Sequence, residues 1–239
     1  MADRQTPRTL ICMPTYNEAG NIERIVAAIH EVVPDVHLLV IDDGSPDGTG
    51  DIADAMSEAD DRVHVLHRTE KAGLGPAYIA GFGWALERDY GYIFEMDADF
   101  SHQPRYLLDM LGALDHGADV AIGSRYVSGG GTENWGLVRR LLSRGGGIYA
   151  RTILGIDVQD LTAGFIGWRR NVLETIDLSG IEASGYVFQI EMKYRAYQAG
   201  FDIVETPITF PDREVGESKM TPGIAIEAVT KVWKIRLKK

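Results

Sequence analysis

Short apolar runs alternate along the first half of the chain with longer stretches in which apolar residues recur every three to four positions. Residues 10–13, 38–41, 63–66, 92–96 and 120–122 have the length and composition of buried strands. Between them, residues 21–33, 49–56, 74–88 and 106–116 carry helical periodicity. This alternation predicts an α/β sandwich, a mostly parallel sheet flanked by helices. Ligands of such sheets bind beyond the carboxyl ends of the strands. The polar clusters Tyr16-Asn17-Glu18, Asp42-Asp43-Gly44-Ser45 and Asp97-Ala98-Asp99 fall there.

The second half is less regular. Residues 128–147 are rich in Gly and Arg, with Trp135, Leu137, Leu141 and Leu142 interspersed. Residues 164–168 read as a strand, and Tyr186–Gln198 as a helix ended by Gly200. A strand at 203–206 stops at Pro207, a polar loop covers 212–222, and a last helix covers 224–237. No repeat, low-complexity linker or domain boundary interrupts the chain, so one domain over residues 1–239 is expected, with 224–239 as an amphipathic basic helix.

Composition narrows the function classes. The 239 residues are 45% hydrophobic, enough for a full core. A net charge of -11 argues against nucleic acid as a partner, since that needs a broad basic face. Yet residues 231–239 hold five basic side chains and no acidic one, which suggests a local anionic partner. The single cysteine, Cys12, lies in an apolar run and is expected to be a core thiol. No stretch approaches the ~20 apolar residues of a membrane span. The expected location is therefore the cytoplasm, peripheral to a membrane face.

Asp97-Ala98-Asp99 follows directly on a predicted strand. Side chains two apart in extended backbone point to the same side, so both carboxylates can face one ligand. Hard oxygen donors of this kind suit Mg2+ or Mn2+, although an isolated Asp-x-Asp also occurs in solvated turns. In the segment Asp42-Asp43-Gly44-Ser45-Pro46-Asp47-Gly48-Thr49, turn and cap chemistry accounts for every residue except the two adjacent acids. One of these could bond a nucleobase or ribose. Residues 134–156 contain Arg139, Arg140, Arg144 and Arg151 and no acid. Guanidinium groups bind phosphate oxygens in a fork that lysine cannot copy. The six histidines are scattered without metal spacing. Gly-x-Gly-x-x-Gly is absent after the first strand, which excludes the usual dinucleotide-dependent oxidoreductase. The glycines and basic residue of a sugar nucleotidyltransferase loop are absent there too.

Together with Gly123-Ser124-Arg125-Tyr126, Asp160-Leu161-Thr162-Ala163-Gly164-Phe165 and Phe210-Pro211-Asp212-Arg213-Glu214-Val215-Gly216-Glu217-Ser218-Lys219-Met220, these clusters resemble the dolichol/polyprenol-phosphate mannosyltransferase family. Its members are inverting glycosyltransferases of GT-A fold, and the resemblance spans about residues 9–219. It implies that Pro14, Tyr16, Glu18, Ile41 and Asp43 hold the nucleoside, and that Asp97, Ala98 and Asp99 meet the diphosphate and its Mg2+ or Mn2+. Ser101 stands where some members place a Gln that approaches the metal. Arg125, Arg139, Arg213 and Lys219 would grip phosphates of donor and acceptor, with Asp97, Asp99, Arg125 and Arg139 at the chemistry.

The implied reaction is transfer of mannose from GDP-mannose to a polyprenyl phosphate with inversion. Glucose from UDP-glucose is the runner-up, and a non-catalytic nucleotide-sugar sensor is the alternative of a different class. An acceptor phosphate is already ionised near neutral pH and needs no strong base. Glu191 and Asp160 are the only base candidates, Glu191 being explicable as an i,i+4 partner of Arg195. Residues 212–220 are expected to order over the donor. The lipid tail is expected along apolar surface near residues 135–149. The last helix puts Ala225, Val229, Val232 and Trp233 on one stripe, with Lys231, Lys234 and Lys238 displaced from it. It would lie on a membrane or pack on the domain; many relatives carry membrane spans after the catalytic domain, so peripheral binding or a separate membrane-anchoring protein is expected.

Overall fold

A computed structural model describes residues 7–69, 73–181, 185–211 and 222–237. Among these, nine strands form: β1 (Thr9–Thr15), β2 (His37–Asp42), β3 (Val63–His67), β4 (Tyr92–Glu95), β5 (Val120–Ser124), β6 (Gly131–Thr132), β7 (Ile166–Arg169), β8 (Ile203–Pro207) and β9 (Thr209–Phe210). The helices are α1 (Ile22–Val32), α2 (Thr49–Ala59), α3 (Leu74–Leu86), α4 (Leu107–Asp115), α5 (Leu137–Leu154), α6 (Arg170–Thr175), α7 (Tyr186–Gln198) and α8 (Pro222–Leu237). Seven strands make one sheet in the order β3-β2-β1-β4-β7-β5-β8, and β6 pairs with β9 in a small second sheet.

The main sheet is parallel except at β7, which runs antiparallel to both β4 and β5. Alternation along β1 divides the core. Leu10 and Cys12 face a cluster that includes α3, α5, α7 and α8. Ile11 and Met13 face one built with α1, α2 and α4. Both faces are covered, which is why the central strands read as unbroken apolar runs. Cys12 is fully buried, as expected, and burial pushes its thiol pKa up. Helix α3 approaches the sheet through Gly81, where a Cβ would sit 2.6 Å from Ile41 Cδ1 and 3.1 Å from Cys12 Sγ.

The Gly- and Arg-rich stretch that showed no regular element folds as most of the 18-residue α5. Its three consecutive glycines, Gly145 to Gly147, lower helix propensity, and packing of Gly147, Ala150 and Leu154 overrides that cost. Helix α8 packs against α5 and α7, with Val232 and Ile235 buried and Trp233 half exposed. Of its apolar stripe, Val232 is used in packing. The side chains of Ala225 and Val229, and Lys238, lie outside the described residues. No helix among them is long and apolar enough to cross a membrane.

Candidate active site

Strand β1 lies between β2 and β4, and the chain leaves it in opposite directions to reach them. This is the switch point at which parallel sheets open a crevice. The β1–α1 and β2–α2 loops form one rim of it. Asn17 N–H donates to Ser45 Oγ at 3.0 Å, Glu18 N–H to Thr49 Oγ1 at 2.9 Å, and Ala19 N–H to Asp47 Oδ2 at 3.1 Å. These bonds hold Asn17 at φ 62°, a conformation Asn tolerates better than most residues.

The two adjacent acids have different tasks. Asp42 accepts from Thr15 Oγ1 and from the Ser45 N–H and hydroxyl, so its carboxylate braces the turn. Asp43 pairs with Arg68 at 2.6 Å and lies beside the rim. Tyr16 is 37% exposed, and Pro14 and Glu18 are partly buried at the same edge. Ile41 does not join them through its side chain, which is fully buried beneath Gly81.

Past β4 the chain turns sharply through Asp97-Ala98-Asp99, with Phe100 at φ 61°. A bulky residue there is strained, and such strain persists only where neighbours over-determine the backbone. They do so here. Asp97 N–H donates to His102 Nδ1 at 2.9 Å, and Ser101 donates to Asp99 Oδ1 through its N–H at 3.0 Å and its hydroxyl at 2.5 Å. His102 is itself stacked on Phe165 and edge-on to Phe210. Tyr78 Oη reaches Asp97 Oδ1 at 3.5 Å. Both carboxylates remain partly exposed while Ala98 is buried.

A second group of residues gathers at the end of β5. Asp160 is fully buried and takes Arg125 Nε at 2.7 Å, Nη2 at 2.6 Å and the Arg125 N–H at 3.0 Å. Burial would raise the Asp160 pKa, but the guanidinium and its hydrogen bonds outweigh that and hold it below the ordinary value. Arg125 Nη2 also donates to Thr162 Oγ1 at 2.8 Å. Its guanidinium lies 5.5 Å from the ring centres of both Trp135 and Phe210. Arg139 stacks over Trp135 at 4.0 Å from the opposite direction in sequence. Glu205 of β8 accepts the N–H groups of Gln159 and Asp160 at 2.7 and 2.8 Å, fixing the start of that loop. Arg213 and Lys219, and the loop 212–220, lie outside the described residues.

A family model described as glycosyl transferase family 2 matches residues 10–177, which include the crevice and both carboxylates. The chain belongs to glycosyl transferase family 2. The transferase is 54% identical over 236 residues to the polyprenol monophosphomannose synthase of Mycolicibacterium smegmatis, covering 98% of this chain and 89% of that one. It is 50% identical over 225 residues to the undecaprenyl-phosphate mannosyltransferase of Micrococcus luteus, covering 94% and 92%. The family resemblance expected from the motifs is thereby borne out. The glucosyl-3-phosphoglycerate synthase of Mycobacterium tuberculosis, solved with Mn2+ and UDP-glucose, shares its fold at TM-score 0.68 and 19% identity, covering 97% of this chain and 78% of that one.

The transferase's acidic turn has the chemistry of a divalent-metal site. It offers two hard carboxylates at a strand end, and such metals commonly take one or two carboxylates and complete their shell with phosphates and water. Among the described residues no set of three His, Cys, Asp or Glu side chains surrounds one point, so a metal here would depend on such outside oxygens. Ser101, expected at the metal, directs its hydroxyl to Asp99 and so orients that carboxylate.

Several residues had not been singled out as part of the site. His102 follows the acidic turn by three positions and looked like one of six scattered histidines. Glu95 is buried behind the turn, accepting from Trp168 Nε1 at 2.8 Å and Gln189 Nε2 at 2.5 Å, and burial raises its pKa. Lys193 is fully buried on α7 and donates to the carbonyls of Leu161 at 3.0 Å and Ala163 at 2.6 Å, and burial lowers its pKa. Glu191 is tied to Arg195 at 2.5 Å, which accounts for it without a catalytic task.

Proposed function

We propose that the transferase moves a mannosyl residue from GDP-mannose to the phosphate of a polyprenyl phosphate, with inversion at the anomeric carbon. The observation that carries this reading is the near-full-length similarity to two enzymes whose names specify mannose and a polyprenyl phosphate. The nucleoside would lie on the rim of Pro14, Tyr16, Glu18 and Asp43. The diphosphate would reach Asp97 and Asp99, which would hold Mg2+ or Mn2+. When bound, the metal neutralises charge on the leaving diphosphate.

A phosphate oxygen of the acceptor attacks the anomeric carbon from the face opposite the diphosphate. The new carbon–oxygen bond forms as the bond to the GDP oxygen breaks, and GDP leaves with the electron pair. No proton need be removed from an ionised phosphate. The state of the two base candidates agrees with that: Asp160 is neutralised by Arg125, and Glu191 by Arg195. Arg139, stacked on Trp135, and Arg213 and Lys219 supply cations for the phosphates. Arg125 acts with Asp160 as one rigid unit that shapes this wall.

GDP release from GDP-mannose should rise when polyprenyl phosphate is added in the presence of Mg2+ or Mn2+. A nucleotide-sugar sensor would bind donor without such release. Release only from UDP-glucose would keep the mechanism and replace the sugar. A polyprenyl phosphate is embedded in a membrane, so on this reading the working location is a membrane surface, reached directly or through an anchoring protein.

A further inference from the structure

Helix α7 has no solvent face along most of its length, since residues 187–194 are all buried. A helix so placed is ordinarily apolar all round. Three of these eight residues are polar nonetheless: Gln189, Glu191 and Lys193. Glu191 is matched on its own helix by Arg195. Gln189 and Lys193 lie one turn apart on one side of the helix, and each reaches a different half of the site.

Gln189 Nε2 donates to Glu95 Oε2 at 2.5 Å, while Trp168 Nε1 holds the other carboxylate oxygen at 2.8 Å. Glu95 ends β4, two residues before Asp97, so these bonds fix the strand end from which the acidic turn springs. Lys193 Nζ donates to the carbonyls of Leu161 at 3.0 Å and Ala163 at 2.6 Å. Those carbonyls flank Thr162, whose hydroxyl accepts from Arg125 Nη2, and they follow Asp160, which holds the same guanidinium. The segment then continues to Phe165, which stacks on His102, the acceptor of the Asp97 N–H.

An ammonium is a costly way to fill this space. Burial lowers the Lys193 pKa, with Asp160 first and Glu95 next acting against it. Apolar side chains of similar volume often serve stability as well as a buried charge does. What the lysine supplies and an apolar residue lacks is a pair of directed bonds from one atom to two carbonyls.

We propose that Gln189 and Lys193 are positioning residues for sugar transfer: α7 holds the acidic turn through Gln189 and the segment 161–163, with Thr162 and Arg125, through Lys193. The helix thereby fixes the distance between the half of the site that takes the donor diphosphate and the half that takes the acceptor phosphate. The naming of the two halves rests on the lipid-acceptor reading above.

The test is a double-mutant cycle of Lys193→Met and Gln189→Leu. Each should lower kcat for transfer from GDP-mannose to polyprenyl phosphate by roughly tenfold to a hundredfold, the effect of a misplacement of about 1 Å. Binding of metal-free GDP should be unchanged, because the nucleoside rim is built by the β1–α1 and β2–α2 loops. The double variant should be little slower than the slower single one, since cutting either tether already frees the two halves, whereas the losses in Tm should add. Deuterium uptake across residues 160–165 should be faster in Lys193→Met than in wild type. Multiplying losses in kcat would overturn the proposal, as would unchanged uptake. So would a kcat no lower than that of Val63→Ala, a core change on edge strand β3, at a temperature where both are folded. If Lys193→Met does not fold, Lys193→Gln takes its place, and failure of both to fold would make the lysine a stability residue alone. Lys193-dependent uptake in a protein that transfers no sugar to lipid phosphate would support the tether and sink the acceptor reading instead.

Discussion

Asp160→Asn tests whether Asp160 and Arg125 form a structural unit at the site. The substitution leaves the volume nearly unchanged and removes the charge opposite a guanidinium that is itself buried. It also replaces an oxygen that accepts from Arg125 with an amide nitrogen that can only donate. Breaking a buried pair at one partner costs about 3–5 kcal/mol, because the remaining charge is left without compensation. For a domain of this size that is a fall in Tm of roughly 6–20 °C. Thermal and urea unfolding of the two proteins at neutral pH measure it. Activity should fall as well, since the loop carrying Thr162 and the ring wall at Trp135 and Phe210 lose their shared anchor. Arg125→Met/Asp160→Leu should recover much of the stability and none of the activity. A loss below about 1 kcal/mol in Asp160→Asn would refute the reasoning, because that is the range of an exposed pair.

Three further outcomes follow from the same structure. Gly145→Ala and Gly146→Ala sit mid-helix on α5 where a Cβ would meet nothing within 4 Å, so each should stabilise by about 0.5–1 kcal/mol in urea melts. His102→Ala should cost about 1–3 kcal/mol by leaving the Asp97 N–H unpartnered, and should lower transfer more than it lowers nucleotide binding, read by parallel melts, turnover and titration with GDP. At the far end of the sheet His37 and His64 share a contact at 3.1 Å beside Tyr90. Burial first, then the charge of Arg8 for His37 and of Arg88 and Arg8 for His64, lowers both pKa values from 6.5. The folded state then binds these protons less readily than the unfolded state. Stability from the pair should be intact above pH 6.5 and lost as pH falls through the lowered values, and His64→Gln should flatten that part of the melt-versus-pH curve.

The central strands and the long helices were legible because their residues obey a single period. Runs such as Leu38-Leu39-Val40-Ile41 are buried on both faces, and the Tyr186–Gln198 helix has the bounds its pattern implied. The acidic turn was legible because two carboxylates on a strand end have few structural uses. Helix α5 was not, since three glycines interrupt it and the aliphatic residues of its first turns, Leu137, Val138, Leu141 and Leu142, face away from the core. The reversed direction of β7 leaves no mark on composition, and β6 and β9 are too short to show a period. Lys193 illustrates a deeper limit. On a helical wheel a lysine reads as solvated, and only the approach of the Leu161 and Ala163 carbonyls makes its burial tolerable. His102 likewise acquires meaning through a single backbone N–H that folding brings to it.

The most direct measurement of the central claim is the passage of label from GDP-[14C]mannose into the organic phase with a polyprenyl phosphate and Mg2+ or Mn2+. Wild type should transfer label in a reaction that requires both lipid phosphate and metal, and folded Asp99→Ala should transfer almost none. Equal transfer by Asp99→Ala, or no lipid-linked label from wild type that demonstrably binds GDP, would contradict the account.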